Sequence, residues 1–443
     1  MRVSGPELAT GSVAGLIELG DTTEAWAPPP APIPARQLLA LVVAVLTTLA
    51  AVALAADGPG LAPPVFTLPD RVIDATVGGG RLFVTRYEPD TAGRFEARTM
   101  GGRLLWTRPR AQESERLLFA YDGVAVVVAF DGGGSAAPYS VTALDADSGA
   151  ELWHRDTAIV NGYADGRLVL RDVGAEDGWR GDQPVRLEAL EARTGASAWT
   201  ATLAPGSMLS WPGDGYAITS IDELTLDGNV QRHDPATGAV TFAQRLAGFD
   251  REAATDFSIY GGEAVVGRPG SRSADVYSLA SGRLVWQYET ALDWGLFACG
   301  AMRWCTASGE GIRAFDAATG RAAWGIGEYN DVFGLSGDRL VLGSLGNTAS
   351  IAHRTVVVTV DARTGAILDR LDDWVGTFGG VGDEFLMSHT DSGQWVGVVG
   401  LYNAHTGAMR IVGRGRIGPA PHCQRSEGAV VCIGNGLNVW RLP

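Results

Sequence analysis

The stretch Asp145-Ala146-Asp147-Ser148-Gly149-Ala150-Glu151-Leu152-Trp153 decides the fold, because copies of it recur along the chain. Two close copies are EARTGASAW at 191–199 and DAATGRAAW at 316–324. Weaker copies keep the glycine and vary elsewhere, as in HDPATG at 233–238 and NAHTG at 403–407. A self-similar period of this size indicates a repeat architecture in which each copy is one structural unit.

Eight glycines mark the copies, and successive ones are separated by 38 to 47 residues. These glycines are Gly102, Gly149, Gly195, Gly238, Gly282, Gly320, Gly365 and Gly407. The residue four positions later is a tryptophan in five copies, which are Trp106, Trp153, Trp199, Trp286 and Trp324. The other three copies have Phe242, Asp369 and Ile411 there. Eight copies near one period predict eight similar units.

The residue types in each copy are typical of a tight turn between two strands. The aspartate or asparagine can accept hydrogen bonds from nearby backbone amides, and the glycine adopts the positive φ that other residues resist. The tryptophan falls on the outgoing strand, where its large ring can pack against the neighbouring unit. We therefore predict structural roles for the repeat glycines and tryptophans and for the turn aspartates Asp145, Asp234, Asp316 and Asp361.

Apolar runs with strand composition, such as Ala125–Phe130 and Thr355–Val360, precede the turns. Three to four strands within about 44 residues match one blade of a β-propeller, which closes into a ring and so protects its sheet edges. The predicted fold is an all-β propeller, preferably with eight blades, with seven or nine as the alternatives. Val65–Leu68 and Cys423–Leu442 lie outside the eight copies and could complete one blade together.

The repeat resembles the pyrroloquinoline-quinone (PQQ)-type propeller repeat, whose pattern is roughly Ala-x-Asp-x-x-Thr-Gly-x-x-x-Trp. Ala143–Trp153 and Ala314–Trp324 match this pattern nearly position for position. The resemblance covers about residues 65–443, and eight blades are usual for it. It implies a family that includes quinoprotein alcohol dehydrogenases, the non-catalytic outer-membrane assembly propeller (BamB-like) and many membrane-anchored propellers.

The resemblance also indicates which residues a quinone-dependent enzyme of this family would need. The dehydrogenases hold the quinone against a disulfide between adjacent cysteines, with a calcium ion held by Glu and Asn and an Asp as base. The four cysteines of this chain, Cys299, Cys305, Cys423 and Cys432, include no adjacent pair. The histidines have no zinc-ligand spacing, and there is no Gly-x-Ser-x-Gly, Walker or dinucleotide motif. We therefore expect no catalytic residues, no cofactor and no metal site.

The cysteines form two close pairs, each of which brackets a short turn. In the repeat frame both pairs fall on the first two strands of a unit, which predicts the cross-strand disulfides Cys299–Cys305 and Cys423–Cys432. Such bonds would indicate an oxidising compartment. Buried free thiols or a metal site formed by both pairs are the alternative interpretation.

An uncharged run of 19 residues, Leu38–Ala56, is long enough to cross a bilayer as a helix. The predicted organisation is a disordered, proline-rich cytoplasmic tail (1–35), a transmembrane helix (36–57), a linker (58–64) and the propeller (65–443). Arg36 precedes the run and no basic residue follows it before Arg71, which favours a cytoplasmic N-terminus. A cleaved signal peptide is the alternative, but the preceding segment is far longer than a usual n-region.

The net charge of −15 disfavours binding to nucleic acid, whose phosphates would be repelled. The predicted function is a single-pass, membrane-anchored, extracytoplasmic and non-catalytic scaffold of the cell envelope. Its expected partners are the membrane, through the N-terminal helix, and another envelope protein or a small ligand at a propeller face. The alternative is an enzyme, hydrolytic or quinone-dependent, that uses the central funnel.

Overall fold

The computed structural model describes residues 62–442, except for residue 70 and fourteen internal positions or segments. Those are 131–139, 157, 173–183, 251–253, 255, 269–272, 290–295, 309, 345–356, 377–381, 391–395, 419–420, 427 and 435. The predicted tail and membrane helix, 1–57, lie outside the described residues, as does most of the linker. Among the residues that are described, no helix is long and apolar enough to span a bilayer.

Each repeat folds as an antiparallel sheet of four strands that pair in chain order, which is the blade of a propeller. Middle strands have both faces covered by neighbouring blades, so they are continuous apolar runs; all six residues of Val124–Ala129 are buried. Outer strands face solvent on one side, as in Glu151–Asp156. This difference explains why the middle strands lack the alternation of a half-exposed strand.

The strands of blades 1 to 3 are β2 (Val72–Gly78), β3 (Arg81–Arg86), β4 (Arg94–Thr99), β5 (Leu104–Pro109), β6 (Arg116–Tyr121), β7 (Val124–Ala129), β8 (Ser140–Asp145), β9 (Glu151–Asp156), β10 (Ala158–Ala164), β11 (Arg167–Asp172), β12 (Val185–Glu191) and β13 (Ser197–Leu203). Blade 4 comprises β14 (Met208–Ser210), β17 (Ile221–Leu224), β18 (Asn229–His233) and β19 (Val240–Arg245), with a hairpin of β15 (Gly213–Asp214) and β16 (Ala217–Ile218) inserted after its first strand.

Blades 5 to 8 follow in the same order. Their strands are β20 (Asp256–Tyr260), β21 (Glu263–Arg268), β22 (Ser273–Ser278), β23 (Leu284–Glu289), β24 (Leu296–Ala298), β25 (Arg303–Ser308), β26 (Gly311–Asp316), β27 (Ala322–Ile326), β28 (Asp331–Ser336), β29 (Arg339–Gly343), β30 (Val357–Asp361), β31 (Ile367–Leu371), β32 (Val375–Gly376), β33 (Glu384–Thr390), β34 (Gly397–Asn403) and β35 (Ala408–Gly415).

The ninth blade joins the two ends of the described chain. Its strands are β36 (His422–Ser426), β37 (Ala429–Gly434), β38 (Gly436–Arg441) and β1 (Phe66–Leu68). Strand β1 pairs antiparallel with β38, with Phe66 opposite Val439 and Leu68 opposite Leu437. This confirms the predicted composite blade.

The preference for eight blades was wrong, because the described residues form nine. The composite blade brings its third and fourth strands from opposite ends of the chain, so no hairpin turn joins them and no repeat glycine marks the blade. Counting glycines therefore finds every blade except the one that closes the ring.

Hydrophobic clusters between adjacent blades hold the ring together. Nine such clusters occur among the described residues, one at each interface between neighbouring blades. The cluster at the closure packs Leu82 and Val84 of blade 1 against Val431 and Val439 of blade 9. The core is thus divided into repeated interfaces, as in other repeat proteins.

The repeat tryptophans lie at these interfaces in one recurrent geometry. The ring of each tryptophan lies against the repeat glycine of the next blade, and its indole N–H donates to a backbone carbonyl of the same turn, at 2.8–3.1 Å. The pairs are Trp106 with Gly149, Trp153 with Gly195, Trp199 with Gly238, Trp286 with Gly320, and Trp324 with Gly365. The tryptophan thus joins one blade to the turn of the next.

Interfaces without a tryptophan use other groups. Gly282 lies over the Arg245 carbonyl and the Gln244 side chain, and Gly407 lies against the Asp369 carboxylate, which accepts a hydrogen bond from Tyr402 at 2.9 Å. At the closure, the ring of Phe66 lies against Gly102 and takes the place of a tryptophan.

Both predicted disulfides, Cys299–Cys305 and Cys423–Cys432, are confirmed, and no free cysteine remains. The first links the β24–β25 turn to β25, and the second links β36 to β37. All four cysteines are buried within inter-blade clusters. The alternatives of free thiols and a four-cysteine metal site are therefore wrong.

Candidate functional site

The hairpin inserted in blade 4 breaks the repeat pattern. Its strand β16 pairs in parallel with the first strand of blade 3, with Ala217 opposite Tyr163, and the Tyr163 amide donates to the Tyr216 carbonyl at 2.8 Å. Gly162 permits this approach, since a Cβ at that position would lie 2.6 Å from the Tyr216 carbonyl oxygen. The hairpin therefore covers the inner edge of blade 3.

One side of the propeller, which we call the turn face, carries two turns from each of blades 1 to 8 and one turn from blade 9. These turns join the first strand to the second and the third to the fourth, and backbone bonds link them, such as Ala192 N–H to the Gly166 carbonyl at 3.0 Å. The inserted hairpin belongs to this face, because it occupies the first of these two turns in blade 4.

A cavity of about 690 Å³ opens on the turn face between blades 2, 3 and 4. This volume falls within the range of small-ligand sites, about 300–1,000 Å³. The cavity is lined by residues at three turns, by the hairpin and by one residue of β19. They are Tyr121, Tyr163, Ala164, Asp165, Ala217, Ile218, Thr219, Ser220, Arg232, His233, Asp234, Pro235 and Thr241.

Aromatic side chains form one wall of this cavity. The rings of Tyr121 and Tyr163 are stacked, with centroids 3.9 Å apart. Phe119 packs against Tyr163 at 5.1 Å and against Tyr216 of the hairpin at 4.7 Å. These contacts hold the tyrosines in place, because each ring is supported on at least one side.

Two residues of the lining, Arg232 and His233, form ion pairs with buried carboxylates. Arg232 donates from Nε and Nη2 to the two carboxylate oxygens of Asp222, at 2.7 and 3.1 Å. Cross-strand pairing of β17 with β18 places these residues opposite each other. The hydrogen bond to Asp222 raises the pKa of Arg232, against the effect of burial.

The second pair is formed by His233 and Glu223. His233 Nε2 lies 3.2 Å from a Glu223 oxygen, and Nδ1 lies 3.4 Å from the Gly238 carbonyl oxygen. The hydrogen bond with Glu223 raises the pKa of His233, although burial opposes it. Since both partners are acceptors, the protonated imidazolium is the form that satisfies both contacts.

Ser207 joins the His233–Glu223 pair. Ser207 donates its hydroxyl to Glu223 at 2.6 Å, so the carboxylate lies between the serine and the histidine. A nucleophilic serine instead needs the histidine beside its own oxygen. The Ser207–Glu223–His233 arrangement therefore lacks the serine–histidine contact of a hydrolytic triad.

The quinone site that the resemblance implies does not fit these residues. The two disulfides lie in different blades, and neither joins adjacent cysteines. In the described parts of the chain, no three His, Cys, Asp or Glu side chains converge as metal ligands.

The predicted turn aspartates occupy the hairpin turns. Asp145 accepts from the Ser148 amide at 2.9 Å and from the Ser148 hydroxyl, and these bonds lower its pKa. Asp316 accepts from Thr319 in the same way, which also lowers its pKa. Of these aspartates only Asp234 also lines the cavity.

Sequence reasoning missed most of the cavity. Its tyrosines, Ser220 and Arg232 belong to no motif, and blade-to-blade packing brings them together. The unusual length of one connection could have revealed the insertion. Ten residues, Trp211–Ser220, separate the first two strands of blade 4, whereas the two residues Asp122-Gly123 make the same connection in blade 2.

Comparisons with known proteins agree with the repeat. The family of the outer membrane protein assembly factor BamB matches residues 66–204 and 185–372. No curated protein gives a significant match. Among solved structures, BamB from Moraxella catarrhalis is 14% identical, covering 86% of this chain and 97% of its own, with a TM-score of 0.42.

Quinohemoprotein alcohol dehydrogenase from Comamonas testosteroni is likewise 14% identical, covering 85% of this chain and 73% of its own, with a TM-score of 0.41. The family matches together span residues 66–372, more than half of the chain. The chain therefore belongs to the family of the outer membrane protein assembly factor BamB.

Proposed function

We propose that this chain is a non-catalytic scaffold of the cell envelope that is anchored by residues 38–56 and binds another envelope protein through its propeller. The family match over residues 66–372 carries this proposal, because the family is named for an assembly factor of outer-membrane proteins. The two disulfides support an oxidising, extracytoplasmic location for the propeller.

The turn-face cavity is the proposed contact region. Its aromatic wall offers apolar surface beside polar groups, which is the usual composition of a binding site. Arg232 and His233 of the lining are already engaged in ion pairs, so they serve the shape of the cavity. Because these side chains are already paired, the cavity is better suited to binding a partner than to acid–base catalysis.

The anchor is tested by membrane extraction. The full chain should stay with the membrane fraction after alkaline carbonate washing, whereas a variant lacking Leu38–Ala56 should not accumulate there. Protease added outside intact cells or spheroplasts should reach the propeller. Full release of the intact chain by carbonate, or protection of the propeller from external protease, would refute the proposed anchoring and orientation.

The scaffold role is tested by photo-crosslinking in intact envelopes. A photoreactive phenylalanine analogue would replace Tyr121, which lines the cavity, and in a control chain Tyr87, an exposed aromatic residue at the other end of its blade. A discrete cross-linked envelope protein is expected from position 121 only. The proposal fails if position 121 yields no product, or if both positions yield the same products.

A further inference from the structure

We propose that the turn-face cavity binds a cationic side chain, the guanidinium group of an arginine on the partner protein. This inference rests on the proposed scaffold function and names the chemistry of its contact. Three features of the described residues carry it: the balance of charge in the lining, the hydroxyl of a mostly buried serine that has no partner among the described residues, and the aromatic wall.

The cations of the lining are already neutralised. Arg232 is paired with Asp222, and His233 with Glu223, and both carboxylates are buried. The nearby Arg167 is paired with Glu191 at 3.0 Å. An anionic ligand would therefore have to compete with carboxylates that already hold these cations.

The carboxylates that remain are not neutralised by a cation. Asp165 lies at the exposed tip of a turn in blade 3, and no ion pair or hydrogen bond of its carboxylate occurs with the described residues. Asp234 accepts two turn amides but has no cationic partner in the described part of the chain. With both ion pairs in place, the lining thus carries two uncompensated negative charges.

Ser220 provides a separate sign of a polar ligand. Its side chain lines the cavity, the residue is only 7% exposed, and its hydroxyl has no hydrogen-bond partner among the described residues. The hydroxyl is not fully enclosed, because Ser220 lines the cavity, and a donor that enters the cavity can hydrogen-bond to it. A guanidinium has five N–H donors and no acceptor.

The aromatic wall favours guanidinium over other cations. Tyr121 and Tyr163 both line the cavity, and a planar guanidinium can stack on an aromatic ring while donating from its edge to a carboxylate. A lysine ammonium lacks this planar surface and is more strongly hydrated. We therefore expect arginine to bind more tightly than lysine.

The test uses the purified full chain and short capped tripeptides, Gly-Arg-Gly and its counterpart with citrulline in place of arginine. Citrulline keeps the shape of the side chain and removes its charge. Ligand-observed NMR titration should give at least fivefold tighter binding for the arginine peptide. This is the gain in affinity expected from one cation–π contact together with one exposed charge pair. Raising the salt concentration should reduce that difference.

Two matched variants localise the effect. Asp165→Asn should weaken binding of the arginine peptide about threefold, as expected for a partly exposed charge pair. Asp90→Asn removes the same charge from another positive-φ turn aspartate, outside the cavity, and should change nothing. Asparagine tolerates positive φ, so neither variant should strain the backbone.

Equal binding of the arginine and citrulline peptides would overturn the inference, and so would tighter binding of a Gly-Glu-Gly peptide. An equal loss in both aspartate variants would show only a general charge effect and would also overturn it. If the Tyr121 cross-link forms while the peptides bind equally, the scaffold function stands without the cation site. If the arginine peptide binds selectively but no cross-link forms, the cation site stands without the scaffold function.

Discussion

Trp286 of blade 5 and Gly320 of blade 6 form the contact that repeats around the ring. A Cβ added to Gly320 would lie 2.6 Å from the indole ring, and the indole N–H donates to the Ala317 carbonyl at 2.8 Å. Glycine is thus required at position 320 for two reasons. The backbone has a positive φ of 66°, and the indole ring leaves no space for a Cβ.

Gly320→Ala should separate these two requirements when it is compared with Gly337→Ala. Gly337 has a similar φ of 57°, but an added Cβ there would meet nothing within 4 Å. Both variants carry the backbone cost, about 1–2 kcal/mol, and Gly320→Ala adds a clash of about 1–3 kcal/mol. Urea unfolding would measure the difference, and equal losses would show that the tryptophan contact does not constrain the glycine.

Phe66→Ala should weaken the closure of the ring. The Phe66 ring lies against Gly102 and beneath the Arg98 guanidinium, so its loss leaves a gap between blades 9 and 1. We expect a loss of about 2 kcal/mol, less than for a fully buried phenylalanine. Thr67→Ala, an exposed change on the same strand, is the control, and equal unfolding midpoints for the two variants would contradict this role.

His233→Gln should alter how stability depends on pH. The folded protein raises the pKa of His233 above its ordinary value of 6.5, mainly through Glu223. The stabilisation is therefore complete below about pH 6.5 and is lost as the pH rises through the raised pKa. Unfolding free energies between pH 5.5 and 9 should show the wild-type advantage over His233→Gln shrinking with rising pH.

The control for this pH series is His154→Gln, which changes an exposed histidine on an outer strand. It separates the loss of one histidine from the loss of the buried His233–Glu223 pair. A wild-type advantage over His233→Gln that grows with pH would show that the His233–Glu223 pair does not stabilise the protein through the protonated imidazole.

The two disulfides should stabilise the protein by similar amounts. Their sequence separations are 6 and 9 residues, and closure entropy rises only slowly with loop length. Replacing either pair with alanines should cost about 2–3 kcal/mol, with a difference between pairs below about 1 kcal/mol. Thermal unfolding of both variants would check this, and no loss in either would show that the bonds do not constrain the unfolded chain.

The blades were predictable because their determinants are local. An aspartate, a glycine and a tryptophan within nine residues specify a turn and the strand that leaves it, and this signal survives in Asn403–Gly407, where no tryptophan follows. The composite blade was predicted, but it was not counted as a ninth unit, because its strands β38 and β1 come from opposite ends of the described chain and no repeat glycine marks it.

The sequence by itself determined the repeated turn, the apolar middle strands and the spacing of the cysteine pairs, because neighbouring residues settle each of these. Only the tertiary structure decided the blade count and the cavity. Tyr121, Tyr163 and Ser220 come from different blades, and they meet because Gly162 lets the inserted hairpin lie against blade 3. Contacts between distant segments depend on how the blades pack, and no local pattern encodes that packing.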